Sequence, residues 1–334
     1  MRDRWAADIS ARAAAYWTPE RKQAVLGDRK NLLVAPDEAA VLLRALGLLR
    51  TDGSMPPDAV RKFMQINHMV ALLEPVVLDL VRTRPTFRVL DVACGSSYLT
   101  LLLAWCFEHR WHHPAQVLGL DRNDQVIGTC RQRAPLCGLD GLLRFETGPI
   151  GGLDVRAVWR RAFGGSPDDG EVHALLALHA CDTATDEALA LGVASGVDLI
   201  AAAPCCQADL SRRWTGLADA GARGAFAPVW SSPHLRREAA ATMTDMLRTL
   251  LLRGCGYEVT PMEFVPAEHT PKNTLIRAVR RRSPGCLPSE SFEAYVALCG
   301  ALGGVGIYLE DLLPAELQGE LDEARRRVTT RSSG

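Results

Sequence analysis

An α/β fold wrapped around a mostly parallel sheet is predicted by three observations. Short apolar runs of strand length alternate with helical segments from residue 87 onward. The last two runs, 257–265 and 274–281, are separated by eight residues, too few for a crossover helix, so they are expected to form an antiparallel hairpin. Before residue 87 the spacing is helical throughout. The chain therefore divides into a helical region over 1–86, an α/β domain over 87–282, and a tail over 283–334 with one or two short helices and a disordered Arg-Ser-Ser-Gly end.

In the N-terminal region, Thr18-Pro19-Glu20 and Ala35-Pro36-Asp37-Glu38 set proline and acids at helix starts. Residues 53–57 break the run. Residues 59–73 are amphipathic, with Val60, Phe63, Met64, Val70 and Leu73 on one side and Arg61, Gln65 and His68 on another. Pro75 is predicted to begin a new helical turn that leads into the first strand. Strands are expected at 87–92, 115–120, 142–146, 172–179, 197–203, 257–265 and 274–281, and helices at 98–108, 124–134, 184–192 and 234–253. Residues 207–233, rich in Arg, Gly and Ala, read as a long connection on the ligand side of the sheet.

Composition narrows the class. With 334 residues, 48% apolar and 23% charged, the chain can bury a full core and reads as soluble and globular. The start, Met-Arg-Asp-Arg-Trp, has no apolar signal segment, and no uninterrupted apolar run approaches membrane-span length. A cytoplasmic protein with no membrane partner is expected. Ten cysteines without a C-x-x-C pair point to reduced, buried thiols. A net charge of −1 advertises no broad nucleic-acid footprint.

The most telling stretch is Phe-Arg-Val-Leu-Asp-Val-Ala-Cys-Gly-Ser-Ser-Tyr-Leu, residues 87–99, a buried strand running into a small-residue turn that opens a helix. Residues this small let backbone amides approach a ligand closely. A dinucleotide site would want G-x-G-x-x-G at this turn; Gly95 stands alone, and the acid Asp91 is still on the strand. That disfavours a nicotinamide oxidoreductase. Ligands of such folds bind outside the carboxyl ends of the strands, where the winding reverses. That selects the turn at 93–97, Asp121 closing the second strand, residues 147–150 after the third, and His179 and Ala180 after the fourth. A carboxylate such as Asp121 can accept from two sugar hydroxyls; its competing role is to cap the following helix.

The turn resembles motif I of class I S-adenosyl-L-methionine (SAM) methyltransferases. The resemblance implies a Rossmann-like sheet of seven strands, the last antiparallel, with SAM as cofactor. Asp91 would face the amino-acid end of SAM, Ala93, Cys94, Gly95 and Ser96 would cradle its methionine and ribose part, and Asp121 would take the ribose hydroxyls. Ile150 or Pro149 would lie against adenine, and His179 and Ala180 beside the sulfonium. Two usual glycines are replaced, by Ala93 and Ser97, and Ser97 requires a left-handed φ or a shifted turn.

Further stretches sharpen the likeness: Leu-His-Ala-Cys-Asp-Thr-Ala-Thr-Asp at 178–186, Ala-Ala-Pro-Cys-Cys-Gln at 202–207, Lys-Phe-Met-Gln-Ile-Asn-His at 62–68 and Glu-His-Thr-Pro-Lys-Asn at 268–273. Over residues 55–282 they resemble a bacterial group of SAM methyltransferases whose domain also occurs in glutathione S-transferase C-terminal domain-containing protein. More distantly, residues 179–186 and the Cys205-Cys206 pair resemble the equivalent stretches of eukaryotic tRNA 2′-O-methyltransferases, although Gln207, Ala208 and Asp209 stand where that family has His-His-Arg-Cys. The implied acceptor is unidentified, with RNA, tRNA included, slightly ahead of a small molecule or protein. A non-catalytic SAM-binding module is the alternative.

For a hydroxyl acceptor the chemistry needs a base or a nearby cation, and His179, Asp182, Lys62 and Lys272 are the candidates. For carbon 5 of a pyrimidine it needs a thiolate, from Cys181, Cys205 or Cys206. Each has a plainer role. Cys205 and Cys206 fit as small packing residues at a strand end, His179 as a histidine satisfied by backbone, and Lys62 as part of a solvated helix face. No metal is expected, because the three cysteines lack both zinc-ligand spacing and a fourth ligand.

Overall fold

The computed structural model describes residues 2–27, 32–165, 171–178, 180–264, 273–281 and 288–332. They form two compact units. One holds the described residues up to Pro149, then Asp154–Val172, with Phe264; the other holds Ile150–Leu153, His173–Glu263 and the described residues from Asn273 onward. The N-terminal helices thus share a unit with the first three strands.

The first unit begins with α1 (Arg2–Tyr16) and α2 (Pro19–Leu26). Thr18 caps α2, its hydroxyl accepting from the Arg21 N–H at 3.3 Å while Pro19 fills the first helical position. α3 (Ala40–Ala45) and α4 (Pro57–Val81) follow. The turn between them packs against α1: Gly53 has φ +82° and a Cβ there would strike the Ala13 backbone, while the Trp17 indole donates to Gly53 O at 2.9 Å. Within α4 the Asn67 side chain is buried, accepting from the N–H groups of Leu33 and Val34 and donating to Val34 O at 2.8 Å.

Pro75 does not restart the helix as the sequence predicts. It lies inside α4, where the buried anchors Leu73, Val77 and Leu80 hold the helix together across it and offset the lost hydrogen bond. By length and composition α4 is the one helix among the described residues that could cross a membrane, and 44% of its most apolar window is buried within the protein.

Next come β1 (Phe87–Val92), α5 (Tyr98–His109), β2 (Ala115–Asp121), α6 (Asp124–Cys137), β3 (Leu143–Thr147) and α7 (Val155–Phe163). β1 and β2 run parallel with Asp91 opposite Gly119, and β2 and β3 with Asp121 opposite Thr147. Gly119 has no room for a side chain, since a Cβ would overlap the Phe145 ring. Every residue of α5 from Leu99 to Phe107 is buried, so it is a core helix without a polar face.

The second unit contains β4 (Ala174–Ala177), α8 (Thr183–Ala194) and β5 (Leu199–Ala202), with β4 and β5 parallel and wholly buried. α9 (Asp209–Asp219) and α10 (Ala227–Trp230) occupy the stretch read as a long connection. Leu210 and Trp214 give α9 a buried stripe, and Trp214 donates to Leu302 O at 3.1 Å; the surrounding Arg and Gly masked this spacing. α11 (Pro233–Gly254) leads to β6 (Tyr257–Glu263) and β7 (Thr274–Arg280), which pair as the expected hairpin, while β7 also runs antiparallel to β5. Strand order is β3-β2-β1 in the first unit and β4-β5-β7-β6 in the second. Together they supply the seven strands of a Rossmann-like architecture, with β7 reversed.

The tail is more ordered than its composition suggests, with α12 (Pro288–Ala301), α13 (Leu309–Leu312) and α14 (Ala315–Ser332). Phe292 and Tyr295 bury one face of α12, while Glu293 pairs with both Arg327 and Arg331 of α14.

Candidate active site

In the first unit the turn between β1 and α5 takes left-handed backbone at alternate residues, with φ +50° at Ala93, +52° at Gly95 and +57° at Ser97. For Ala and Ser this costs on the order of 1 kcal/mol each, and the surrounding bonds hold them there. Cys94 N donates to Leu120 O at 3.0 Å, Ser97 N to Cys94 O at 2.9 Å, and Gly95 N to the Asp121 carboxylate at 3.0 Å. The Ser97 hydroxyl reaches Cys130 Sγ at 3.0 Å, and Arg133 donates to Ser96 O at 2.9 Å. Of the two outcomes open to Ser97, the left-handed φ is the one adopted.

Asp91 lies buried beneath this turn and accepts from the Thr100 hydroxyl. Burial pushes its carboxyl up, the Thr100 bond pulls it down, and the Asp121 charge pushes it up again, leaving it at about 7. A carboxyl in that state gains most from a cation placed against it. Asp121 takes one backbone N–H on each oxygen, from Gly95 and from Asn123 at 2.9 Å, and each oxygen keeps a lone pair. It does not cap α6. That role falls to Asn123, whose side chain accepts from Gln125 and Val126 N–H. Thr147 closes β3 and donates to Asp124 at 2.8 Å, tying the third strand to the start of α6.

Lys62, exposed on α4, places its ammonium 3.4 Å above the centre of the Tyr98 ring, which opens α5 directly after the turn. The structure therefore brings together Lys62, Asp91, the 93–97 turn and Asp121. Gln65 and His68 stay on the outer face of α4.

In the second unit Ile150 and Ala180 are buried. His179 and Lys272, two of the candidate bases, lie outside the described residues. Cys181, Cys205 and Cys206 cluster: Cys181 and Cys205 Sγ are 2.6 Å apart, and Cys205 and Cys206 Sγ 3.6 Å. Burial, then the neighbouring thiols, push Cys181 up to about 12, and burial raises Cys205 as well.

Asp182 anchors this cluster. Its backbone has φ +53° and ψ −121°, a conformation strained for a residue with a side chain. Its N–H donates to Cys206 O at 3.0 Å, and its carboxylate accepts from Ala208 N, Asp209 N and Arg212 at 2.8–2.9 Å. Burial alone would raise this carboxyl, but the two N–H groups and Arg212 outweigh it and hold it below its ordinary range. Behind it, Arg248 of α11, 1% exposed, donates to Asp182 O at 2.9 Å and to Asp186 at 2.8 Å, and pairs with Asp245 at 3.3 Å. Asp245 also accepts from Gln207 at 3.0 Å. Asp186 and Gln207 stand in the quoted sequence stretches. Arg248 carries no signal beyond being a charge among leucines in α11.

Residues 61–213 match the family model described as Methyltransferase domain. Over that stretch, just under half of its length, the chain is similar to methyltransferase domains. No curated protein sequence matches the chain. Among solved structures, the magnesium protoporphyrin IX methyltransferase ChlM from Synechocystis PCC 6803 with bound S-adenosylhomocysteine (SAH) aligns at 14% identity, over 72% of this chain and 93% of its own, with a TM-score of 0.40. The SAH-bound methyltransferase PaMTH1 of Podospora anserina aligns at 15% identity over 79% and 97%, TM-score 0.40. The METTL16 MTase domain aligns at 12% identity over 74% and 80%, TM-score 0.39.

The donor set of the first unit fits SAM, the cofactor that a methyltransferase domain uses. Asp91 would offer a buried acid to the ammonium, Gly95 and its small neighbours would leave room for the chain, and Asp121 would keep lone pairs for two hydroxyls. Asp121→Ala is expected to weaken SAH binding by about 1–3 kcal/mol, the cost of unmatched hydroxyls, in a calorimetric titration. Asp91 adds a pH dependence. A cation bound against it favours the ionised form, so SAM affinity is expected to rise by up to about tenfold per pH unit below 7 and to level off above it. Titrations from pH 5 to 8 check this, and Asp91→Asn flattens the profile. Without cofactor the same shift acts in reverse on stability: the benefit is complete below the ordinary carboxyl value of 3.8 and is lost as pH rises through about 7.

Proposed function

We propose that this methyltransferase modifies a hydroxyl group of RNA, with tRNA the substrate to test first. The observation that carries the reading is Lys62 over the Tyr98 ring beside the cofactor turn, a cation suited to a ribose-phosphate acceptor and to the negative charge that develops on its oxygen. The likeness of residues 179–186 and the Cys205-Cys206 pair to tRNA 2′-O-methyltransferases supports it. SAM supplies a methyl group on a cationic sulfur, open to in-line displacement. Asp91 and Asp121 orient that donor from its two ends, and Lys62 stabilises the acceptor oxygen as it is uncovered.

Asp182 has its carboxylate committed to α9 and Arg212, so in this reading it is a positioning residue. Addition of a thiolate to a pyrimidine ring is disfavoured, because Cys181 and Cys205 are pushed away from ionisation. We place the enzyme in the cytoplasm, where thiols such as Cys94, Cys106 and Cys130 stay reduced.

The net charge of −1 supports a second reading, a small-molecule acceptor. Incubation with methyl-labelled SAM, total tRNA and a small-molecule extract separates them. Label in the RNA, recovered after digestion as 2′-O-methylnucleoside, is the expected result. Label confined to the low-molecular-weight fraction favours the second reading, and SAH binding with no transfer favours a non-catalytic module.

A further inference from the structure

We propose that Cys181, Cys205 and Cys206 form a thiolate site for a thiophilic d10 cation, Zn²⁺ in the first instance. The three Sγ atoms lie within 4.8 Å of one another, brought there by two loops far apart in sequence. Zinc–sulfur bonds of about 2.3 Å in tetrahedral geometry set sulfurs roughly 3.7 Å apart. Cys205 and Cys206, at 3.6 Å, already have that spacing. Cys181, which is exposed, has to move about 1 Å away from Cys205 to match it.

The two loops are fixed relative to each other. Asp182 N–H bonds Cys206 O, the Asp182 carboxylate holds the start of α9, and Arg248 holds Asp182 O. This clip maintains the strained Asp182 backbone directly beside Cys181, and its energetic outlay has no evident return in packing, since Cys181 and Cys205 are both exposed. Presenting three sulfurs at one point accounts for it. Among the described residues the group has these three members, which leaves a fourth position for water or another ligand.

The alternative use of clustered thiols is a redox switch, which needs a thiol that ionises readily. Here burial raises both Cys181 and Cys205, and the neighbouring sulfurs raise Cys181 further. A bound cation reverses that balance, because a coordinating thiol is deprotonated by the metal itself. The proposal is independent of which acceptor the enzyme methylates.

The full-length protein, purified under reducing conditions without chelator, is titrated with Cd²⁺ while thiolate-to-metal charge-transfer absorption is followed. Zn²⁺ affinity is then measured by competition with a chromophoric chelator. The expected result is saturation at one metal per chain, with proton release. Cys205→Ser and Cys206→Ser are expected to lose at least the roughly 10- to 100-fold in affinity that even outer-shell changes cost at metal sites, with unfolding midpoints unchanged. Cys255→Ser, a thiol outside the cluster, is expected to change nothing. Absence of saturable binding, binding that survives replacement of all three cysteines, or a Cys181–Cys205 disulfide in the freshly reduced and repurified protein overturns the proposal.

Discussion

Arg248→Met is expected to destabilise the protein by about 3–5 kcal/mol, the cost of stranding a buried charge. Arg248 is 1% exposed and Asp186 2%. Removing the guanidinium leaves Asp186 in the interior with no cation, and Asp182 O and Asp245 each lose a donor. Burial already raises the Asp186 carboxyl above its ordinary value, with Arg248 pulling the other way. A carboxyl raised by folding contributes most below its ordinary range and loses that contribution as pH rises through its folded value. Without Arg248 that value climbs further, so the deficit is expected to shrink as pH falls from 7 to 5. Denaturant unfolding at the two pH values measures it. Arg248→Met combined with Asp186→Leu should recover most of the loss, since an apolar replacement of the whole pair leaves no stranded charge. A loss under 1 kcal/mol would mean that water reaches Asp186.

Lys62→Met is expected to lower the methyl-transfer rate about 100-fold, the scale on which a single charge-stabilising group acts, with SAH affinity unchanged. The side chain packs on Tyr98 and makes no bond to Asp91, Asp121 or the turn, so cofactor binding should not register its loss. Lys62→Arg keeps both the charge and the ring contact and should retain an intermediate rate. Single-turnover kinetics with saturating SAM separates the chemical step from binding. An unaltered rate in Lys62→Met would return this residue to the solvated face of α4.

Much of the fold can be read from period and length. The strand at 87–92 and the helix that follows are found where the apolar run and the small-residue turn put them, because nothing competes with a buried strand entering a helix. The hairpin follows from eight intervening residues. Errors arise where tertiary packing overrides a local signal. Pro75 is carried inside α4 by buried residues on both sides, and α9 and α10 are hidden by Arg, Gly and Ala around two tryptophans. β4 and β5 are four residues each, shorter than their apolar runs, because the flanking residues turn away into loops. At the site, Asp91, Gly95 and Asp121 are visible in sequence as acids and glycine at strand ends. The commitment of Asp182 to α9 is not, since its partners lie more than twenty residues away and its backbone angle leaves no trace in composition.

Asn67 shows how narrow one permission in this chain is. Its amide both gives to and takes from the backbone at residues 33 and 34. Aspartate at that position could take but not give, lysine could give but not take, and leucine could do neither. Hydrolysis of this one amide to an acid, the ordinary chemistry of protein ageing, would therefore unfasten the strap in front of α3 while every apolar contact stayed in place.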